Sequence, residues 1–261
     1  MLASMANPPF AFPASWKGIK RVLIEYCTYD DSALCKDTEY SKGCYNIRCT
    51  QKDDMTLESS LRSLLAFIRC VPRNIVVTLW SGIPCTGGSP AQNGNIHRPN
   101  HAKRMAAHYK LWNELFDNYV IAAQAVVQRG GHLVLEWPSR CRYWKQPKVK
   151  ALLGITELGW KDMRVKACAH GQRILTGKDK GKALTKVWRL VSTINDLQSA
   201  MDIPCQGDHD HVTTIGGSRA LLSGKYPDGF AKAFHQHYRN VVLNNDKFYT
   251  QCVIDLRTTS P

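Results

Sequence analysis

The chain alternates short apolar runs with longer stretches in which apolar residues recur every three or four positions. "IKRVLIEY" (19–26), "CYNIRCT" (44–50), "NIVVTLW" (74–80) and "HLVLE" (132–136) have the length and composition of strands. Between them, "LESSLRSLLAFIRC" (57–70) sets Leu57, Leu61, Leu64 and Ile68 on one helical face. The longest helical pattern runs from Pro99 to Arg129 through Met105, Tyr109, Trp112, Phe116, Tyr119, Ala123 and Val126, and Gly130-Gly131 marks its stop. This strand–helix rhythm predicts an α/β domain with a parallel sheet covered on both faces. The style then changes. "DMRVKACAH" (162–170) and "KVWRLVST" (186–193) read as two strands of an antiparallel terminal hairpin, joined by the exposed link "GQRILTGKDKGKALT". "INDLQSAM" predicts a short helix, 203–218 an irregular stretch, and 227–242 a helix with Phe230, Phe234 and Tyr238 on one face. The expected organisation is an irregular arm (1–18), one domain (19–243) with a small inserted loop region (194–222), and a tail (244–261).

Composition narrows the class. With 261 residues and 44% apolar content, the chain can bury a substantial core and is not of disordered type. No stretch approaches the roughly 18 apolar residues of a membrane span. The N-terminus lacks the pattern of a signal peptide. Lys and Arg number 35 against 21 acidic residues, a formal charge of +14. Such an excess favours a polyanionic partner, nucleic acid foremost; a merely solubilising surface is the alternative. The ten cysteines follow no secretory spacing. They suggest reduced thiols in an intracellular, reducing compartment, and a nuclear location is compatible with that.

In a parallel sheet, ligands bind at the carboxyl ends of the strands. Three chemically rich segments fall there: "EYCTYDDS" after the first strand, "SGIPCTGGS" after the third, and "EWPSRCRYW" after the fourth. Cys85 is either a small core residue or a presented nucleophile. Gly82, Gly87 and Gly88 predict close approach of backbone donors to a ligand. Glu136 taken alone reads as a surface or ribose-binding residue. Beside Cys85 it would supply the proton donor that attack on a ring requires.

Gly82-Ile83-Pro84-Cys85-Thr86-Gly87-Gly88-Ser89 resembles the Gly-Pro-Pro-Cys-Gln-Gly-Phe-Ser motif of the DNA cytosine-5 methyltransferases, matching at Gly82, Pro84, Cys85, Gly87 and Ser89. Glu136-Trp137-Pro138 is similar to that family's Glu-Asn-Val motif in its glutamate, and "SGKYPDGFAKAFH" (223–235) to its closing Gly-Asn-x-Val-Pro turn and helix. The chain also resembles methyltransferase-like segments of protist retroelement polyproteins, which share the "E-x-C-T-x-x-D-S" opening. The resemblance implies a Rossmann-like methyltransferase fold and S-adenosylmethionine as cofactor. It implies catalytic roles for Cys85, Glu136, Pro84 and Ser89, and DNA in preference to RNA as substrate. Cys85 would attack C6 of a flipped-out cytosine while Glu136 holds N3. Glu25, Cys27, Thr28, Asp31 and Ser32 would face the cofactor. Asp53 or Asp54 would contact adenine, or else cap a helix before "MTLESS". The chain departs from the family at several points, among them Thr86 in place of its Gln and no clear Gln-x-Arg-x-Arg motif. The first loop has no glycine, with Tyr29 where one is expected; Arg48 stands where many methyltransferases carry a ribose-binding acid; and the large target-recognition domain is absent.

Arg140, Arg142, Lys178 and Lys180 are the candidate nucleic-acid contacts, with Arg164 and Lys166 as alternatives to the first two. Trp137, Tyr143 and Trp144 suit either base stacking or core packing. "CQGDHDH" spaces Cys205, His209 and His211 as metal ligands. With Cys168, or His170 beside it, they would make a structural zinc site; a polar loop with incidental histidines is the other reading. His97, His101 and His108 read as surface or nucleic-acid contacts, and His235 and His237 as structural or exposed. Two rival functions stand beside the methyltransferase: a nucleic-acid-binding module of the same fold without catalysis, of retroelement or viral origin, and a cysteine hydrolase, which needs a histidine within reach of Cys85.

Overall fold

The computed structural model describes residues 10–214, 219, 222–244 and 256. Most of the tail 244–261, including Cys252, lies outside the described residues, as do 1–9 of the N-terminal arm and 215–218 of the irregular stretch.

Six strands form one sheet: β1 (Arg21–Tyr26), β2 (Cys44–Cys49), β3 (Val76–Ser81), β4 (His132–Pro138), β5 (Lys161–Lys166) and β7 (Val187–Ser192), in the order β2-β1-β3-β4-β7-β5. β1 pairs in parallel with β2 and β3, and β3 with β4. β7 runs antiparallel to both β4 and β5, so it alone is reversed. The predicted hairpin is therefore present, but β5 stops at Lys166 and its link contains β6 (Ala183–Leu184). That strand pairs with β8 (His211–Val212) in a second, two-stranded sheet.

β1 and β3 read as continuous buried runs because both faces of the sheet are covered. On one face, α1 (Glu58–Cys70) and α2 (His101–Val127) bring Leu61, Leu64, Phe67, Trp112, Phe116 and Tyr119 onto Val22, Ile24, Val77 and Leu79. The other face is covered by α4 (Leu197–Met201) and α5 (Asp228–Asn244). They set Met201, Phe230, Phe234 and Tyr238 against Leu23, Trp80, Val134 and Trp188. α2 ends where predicted, since Gly130 takes a φ of 75° and donates to Val127 O at 2.8 Å.

Three expectations change. α3 (Pro147–Leu153) was not read from the sequence; it starts on a proline and buries Val149 and Leu152. The inserted region is smaller than 194–222, because Ile194, Leu197 and Met201 belong to the core. The described part of the arm is irregular but packed: Phe12 stacks on Phe67 at 5.2 Å and Trp16 meets Tyr45 edge-on.

Candidate active site

The chain leaves β1 toward β2 on one side, while β3 lies on the other. The connections that leave the paired carboxyl ends of β1 and β3 therefore diverge, and such a switch point is where α/β sheets hold ligands. A cleft lies there, lined by Glu25 from β1, Cys27, Thr28 and Ser32 from the first loop, Gly82 after β3, Glu136 from β4, and Lys225 and Tyr226 before α5. Four of the residues expected to face a cofactor thus share one pocket with the expected catalytic glutamate.

The first loop turns without glycine because Cys27 itself adopts a left-handed backbone, φ 63°. For a residue with a Cβ this stores about 1 kcal/mol. Gly82 follows on β3 and donates to Tyr26 O at 2.7 Å; a Cβ there would sit 2.7 Å from Cys27 O. A missing Cβ at Gly82 thus lets β1 and β3 come together, while Gly82 also lines the cleft. Gly87 and Gly88 are packed instead against Tyr143, His108 and Cys141. The expectation of a close approach to a ligand is corrected for Gly87 and Gly88, which do not line the cleft.

Glu25 is buried, accepts from Ser32 Oγ at 2.8 Å through Oε1, and leaves Oε2 buried without a hydrogen-bond partner. Burial raises its pKa. Glu136 is buried too, and burial pushes its pKa up to about 7, with Lys186 and Tyr226 pulling it back and Glu25 adding to the rise. Tyr226 OH donates to Glu136 Oε2 at 2.7 Å and accepts from Trp80 Nε1 at 3.0 Å. Over the mouth, Lys225 pairs with Asp31 and lies 5.8 Å above the Tyr29 ring.

Cys85 is half-buried in the turn that follows β3, with φ −88° and ψ 4°, a sparsely populated region common at active sites. Its thiol is held above the ordinary value by burial; the Lys186 cation works against this and Glu136 with it. The Cys85 turn is fastened to the end of β4 by Trp137 Nε1, which donates to Ile83 O at 2.8 Å. Thiol and carboxyl thus sit on neighbouring strand ends within electrostatic reach of one another. Lys186 acts on both, and its ammonium lies 5.6 Å from the Trp188 ring.

Other expected site residues have different duties. Pro84 is exposed beside Cys85. Ser89 Oγ accepts from Ala91 N and caps the turn Pro90–Asn95. Asp53 accepts from Thr50 N at 2.6 Å, and Asp54 from Thr56 Oγ1 at 2.6 Å. Both carboxylates are spent on local turns after β2, outside the cleft, and neither caps α1. Arg48 donates to the Cys35 and Ser32 carbonyls. Trp137, Tyr143 and Trp144 are buried, which removes the base-stacking reading for them. Arg140 and Arg142 are exposed, and Arg142 contacts Asn93 in the loop after Cys85. Lys178 and Lys180 are exposed in the link between β5 and β6 and do not line the cleft.

Cys168, Cys205, His209 and His211 converge on one point, with ligand atoms all within 4.8 Å, and could hold a metal ion. His170 is not part of the group: it is buried, with Nε2 2.8 Å from Met201 O. His235 is likewise structural, with Nε2 2.7 Å from Leu34 O.

Sequence reasoning missed Lys225 and Tyr226, which line the cleft, and Lys186, whose charge acts on Glu136 and Cys85. Tyr226 stood inside the noted "SGKYPDGF" segment, whereas nothing marked Lys186 among the other lysines of its link. No protein-family model, curated protein or solved structure matches this chain. Among the described residues, no helix is long and apolar enough to cross a membrane.

Proposed function

We propose that the protein is a nucleic-acid methyltransferase of cytosine-5 type with a Rossmann-like methyltransferase fold, acting on DNA in preference to RNA. One observation carries this reading: the Cys85 turn and the Glu136 strand end are fastened together beside a polar cleft at the switch point. S-adenosylmethionine, when bound, supplies the methyl group. Cys85 Sγ bonds to C6 of a cytosine taken out of the stack, and Glu136, which keeps its proton to about pH 7, hydrogen-bonds N3. A base from solvent would then take the C5 proton, and that electron pair would re-form the C5–C6 double bond and break the bond to Cys85, releasing it as thiolate. Lys186 favours the thiolate.

The unpartnered Glu25 Oε2, with Thr28 and Ser32 beside it, offers acceptors to ribose hydroxyls or an amine. The cleft itself measures about 50 Å³, room for about three waters. An adenosyl-sized ligand is larger than this and would extend out through the open side of the cleft or displace part of its lining, which includes Lys225 and Tyr226. Arg98, Lys103, Arg104, Arg140 and Arg142 are exposed in and beside the loop that follows Cys85, and suit phosphate contacts.

The small cleft and the ion pair across its mouth favour a second reading, a nucleic-acid-binding module without methyl transfer. DNA carrying 5-fluorocytosine separates the two. With the cofactor, the wild type should form a denaturation-resistant adduct, because fluorine cannot leave C5 as a cation, and Cys85→Ala should form none. Tight DNA binding with no adduct and no cofactor heat by titration calorimetry would establish the binding module instead.

A further inference from the structure

A second concentration of chemistry lies apart from the cleft, where three pieces of chain meet. Cys168 is buried in the turn Ala167–His170 that ends β5. Cys205 and His209 belong to the loop after α4, and His211 opens β8. Cys205 Sγ lies 3.5 Å from His209 Nε2 and 3.6 Å from His211 Nε2, and the two Nε2 atoms are 3.2 Å apart. A tetrahedral ion with bonds of about 2.3 Å to sulfur and about 2.0–2.1 Å to nitrogen spaces its ligands by about 3.6 Å for S–N and about 3.3 Å for N–N. These three edges fit one face of that tetrahedron, and the Cys168 sulfur lies within 4.8 Å of all three atoms.

The surroundings agree. His209 Nδ1 is 2.7 Å from Asp208 Oδ1, a carboxylate partner that keeps the proton on Nδ1 and leaves Nε2 free to ligate. Among the described residues, the loop is otherwise held by an Arg173–His209 contact and by backbone hydrogen bonds such as Ala183 N to Asp210 O. β6 and β8 share only two residue pairs, and Ile203 is half-exposed. A segment with so little apolar burial needs a cross-link.

We propose that Cys168, Cys205, His209 and His211 bind one Zn²⁺ in a closed, structural site. The ion fastens the 205–211 loop to the end of β5. It thereby also holds the strand leading to Lys186: β6 pairs with β8, which carries His211, and Ala167 N donates to Lys186 O at 2.9 Å. Soft thiolates with imidazoles select zinc over magnesium or calcium, and four protein ligands leave no open position for catalysis. This site stands or falls independently of the methyl-transfer reading.

The test uses the full chain. Protein purified without chelator should contain one zinc per chain by mass spectrometry. Replacement by Co²⁺ should give intense tetrahedral d–d bands and a thiolate charge-transfer band. His211→Cys, which keeps four ligands, should bind the ion and strengthen the charge-transfer band about one and a half-fold, as thiolates rise from two to three. Cys205→Ser should weaken the band by half where the ion stays bound on Cys168 and lose it where the ion is released; a band of undiminished strength would count against Cys205 as a ligand. A folded wild-type chain with no stoichiometric zinc, or a cobalt form with only weak octahedral absorption, would overturn it.

Discussion

Glu136→Gln removes the ionisation of the cleft carboxyl while keeping an acceptor for Tyr226 OH. In the wild type, burial lifts the Glu136 pKa from the ordinary value of 4.5 to about 7. Between those values the unfolded chain has given up this proton and the folded chain has not. The unfolded state binds fewer protons, so stability falls as pH rises across the interval and is constant on either side of it. An interval of about 2.5 pH units at about 1.4 kcal/mol each amounts to about 3 kcal/mol. The Gln variant has no such slope, and any fixed cost of its amide cancels when pH is varied. Urea unfolding of both proteins from pH 4 to 9 measures the effect. Relative to wild type, Glu136→Gln should gain about 3 kcal/mol between pH 4.5 and 7 and nothing beyond. Glu25 changes the size but not the sign, because each carboxyl raises the cost of ionising its neighbour. Parallel stability curves for the two proteins would refute the claim that this carboxyl is held protonated by burial.

Lys186→Met removes the cation that opposes burial at Cys85, so iodoacetamide should modify Cys85 more slowly at pH 8. The exposed Cys70, followed by peptide mass spectrometry in the same sample, should react unchanged; an unaltered Cys85-to-Cys70 ratio would exclude the role assigned to Lys186. Arg129 reaches the carbonyls of Ile68, Val71, Pro72 and Ile75, bracing the end of α1 against the start of β3. Arg129→Ala should lower unfolding stability by about 2–4 kcal/mol in urea, and Arg129→Lys should restore less than half, because an ammonium cannot span four acceptors in a plane.

Elements with strong periodicity were legible in the sequence. Strands β1 to β4 and helices α1, α2 and α5 lie where apolar spacing placed them, because burial against a two-faced sheet leaves a pattern in the chain itself. The meeting of the Cys85 and Glu136 turns was also legible, since parallel strands put their carboxyl ends on one edge. Tertiary duties were not. Asp53 and Asp54 satisfy turn amides two or three residues away, a use that looks the same in sequence as a ligand contact. Gly87 and Gly88 answer to Tyr143 and Cys141, more than fifty residues downstream, and no local pattern announces that. Lys186 comes within electrostatic reach of Glu136 through the pairing of β7 with β4, a placement set by the reversed strand. Cys27 bends the first loop where glycine was looked for, so the absence of glycine there did not mean the absence of a turn.

Two buried carboxyls side by side also make the cleft a reservoir of hydrogen ions. Glu25 and Glu136 both resist losing theirs, and each makes the loss harder for the other. A positively charged guest seated between them reverses that preference, because its field favours the anionic forms. Its arrival must discharge acid into the medium. Its grip should therefore tighten with alkalinity, by up to about tenfold per pH unit for the Glu136 proton, and that contribution should level off near the Glu136 value of about 7.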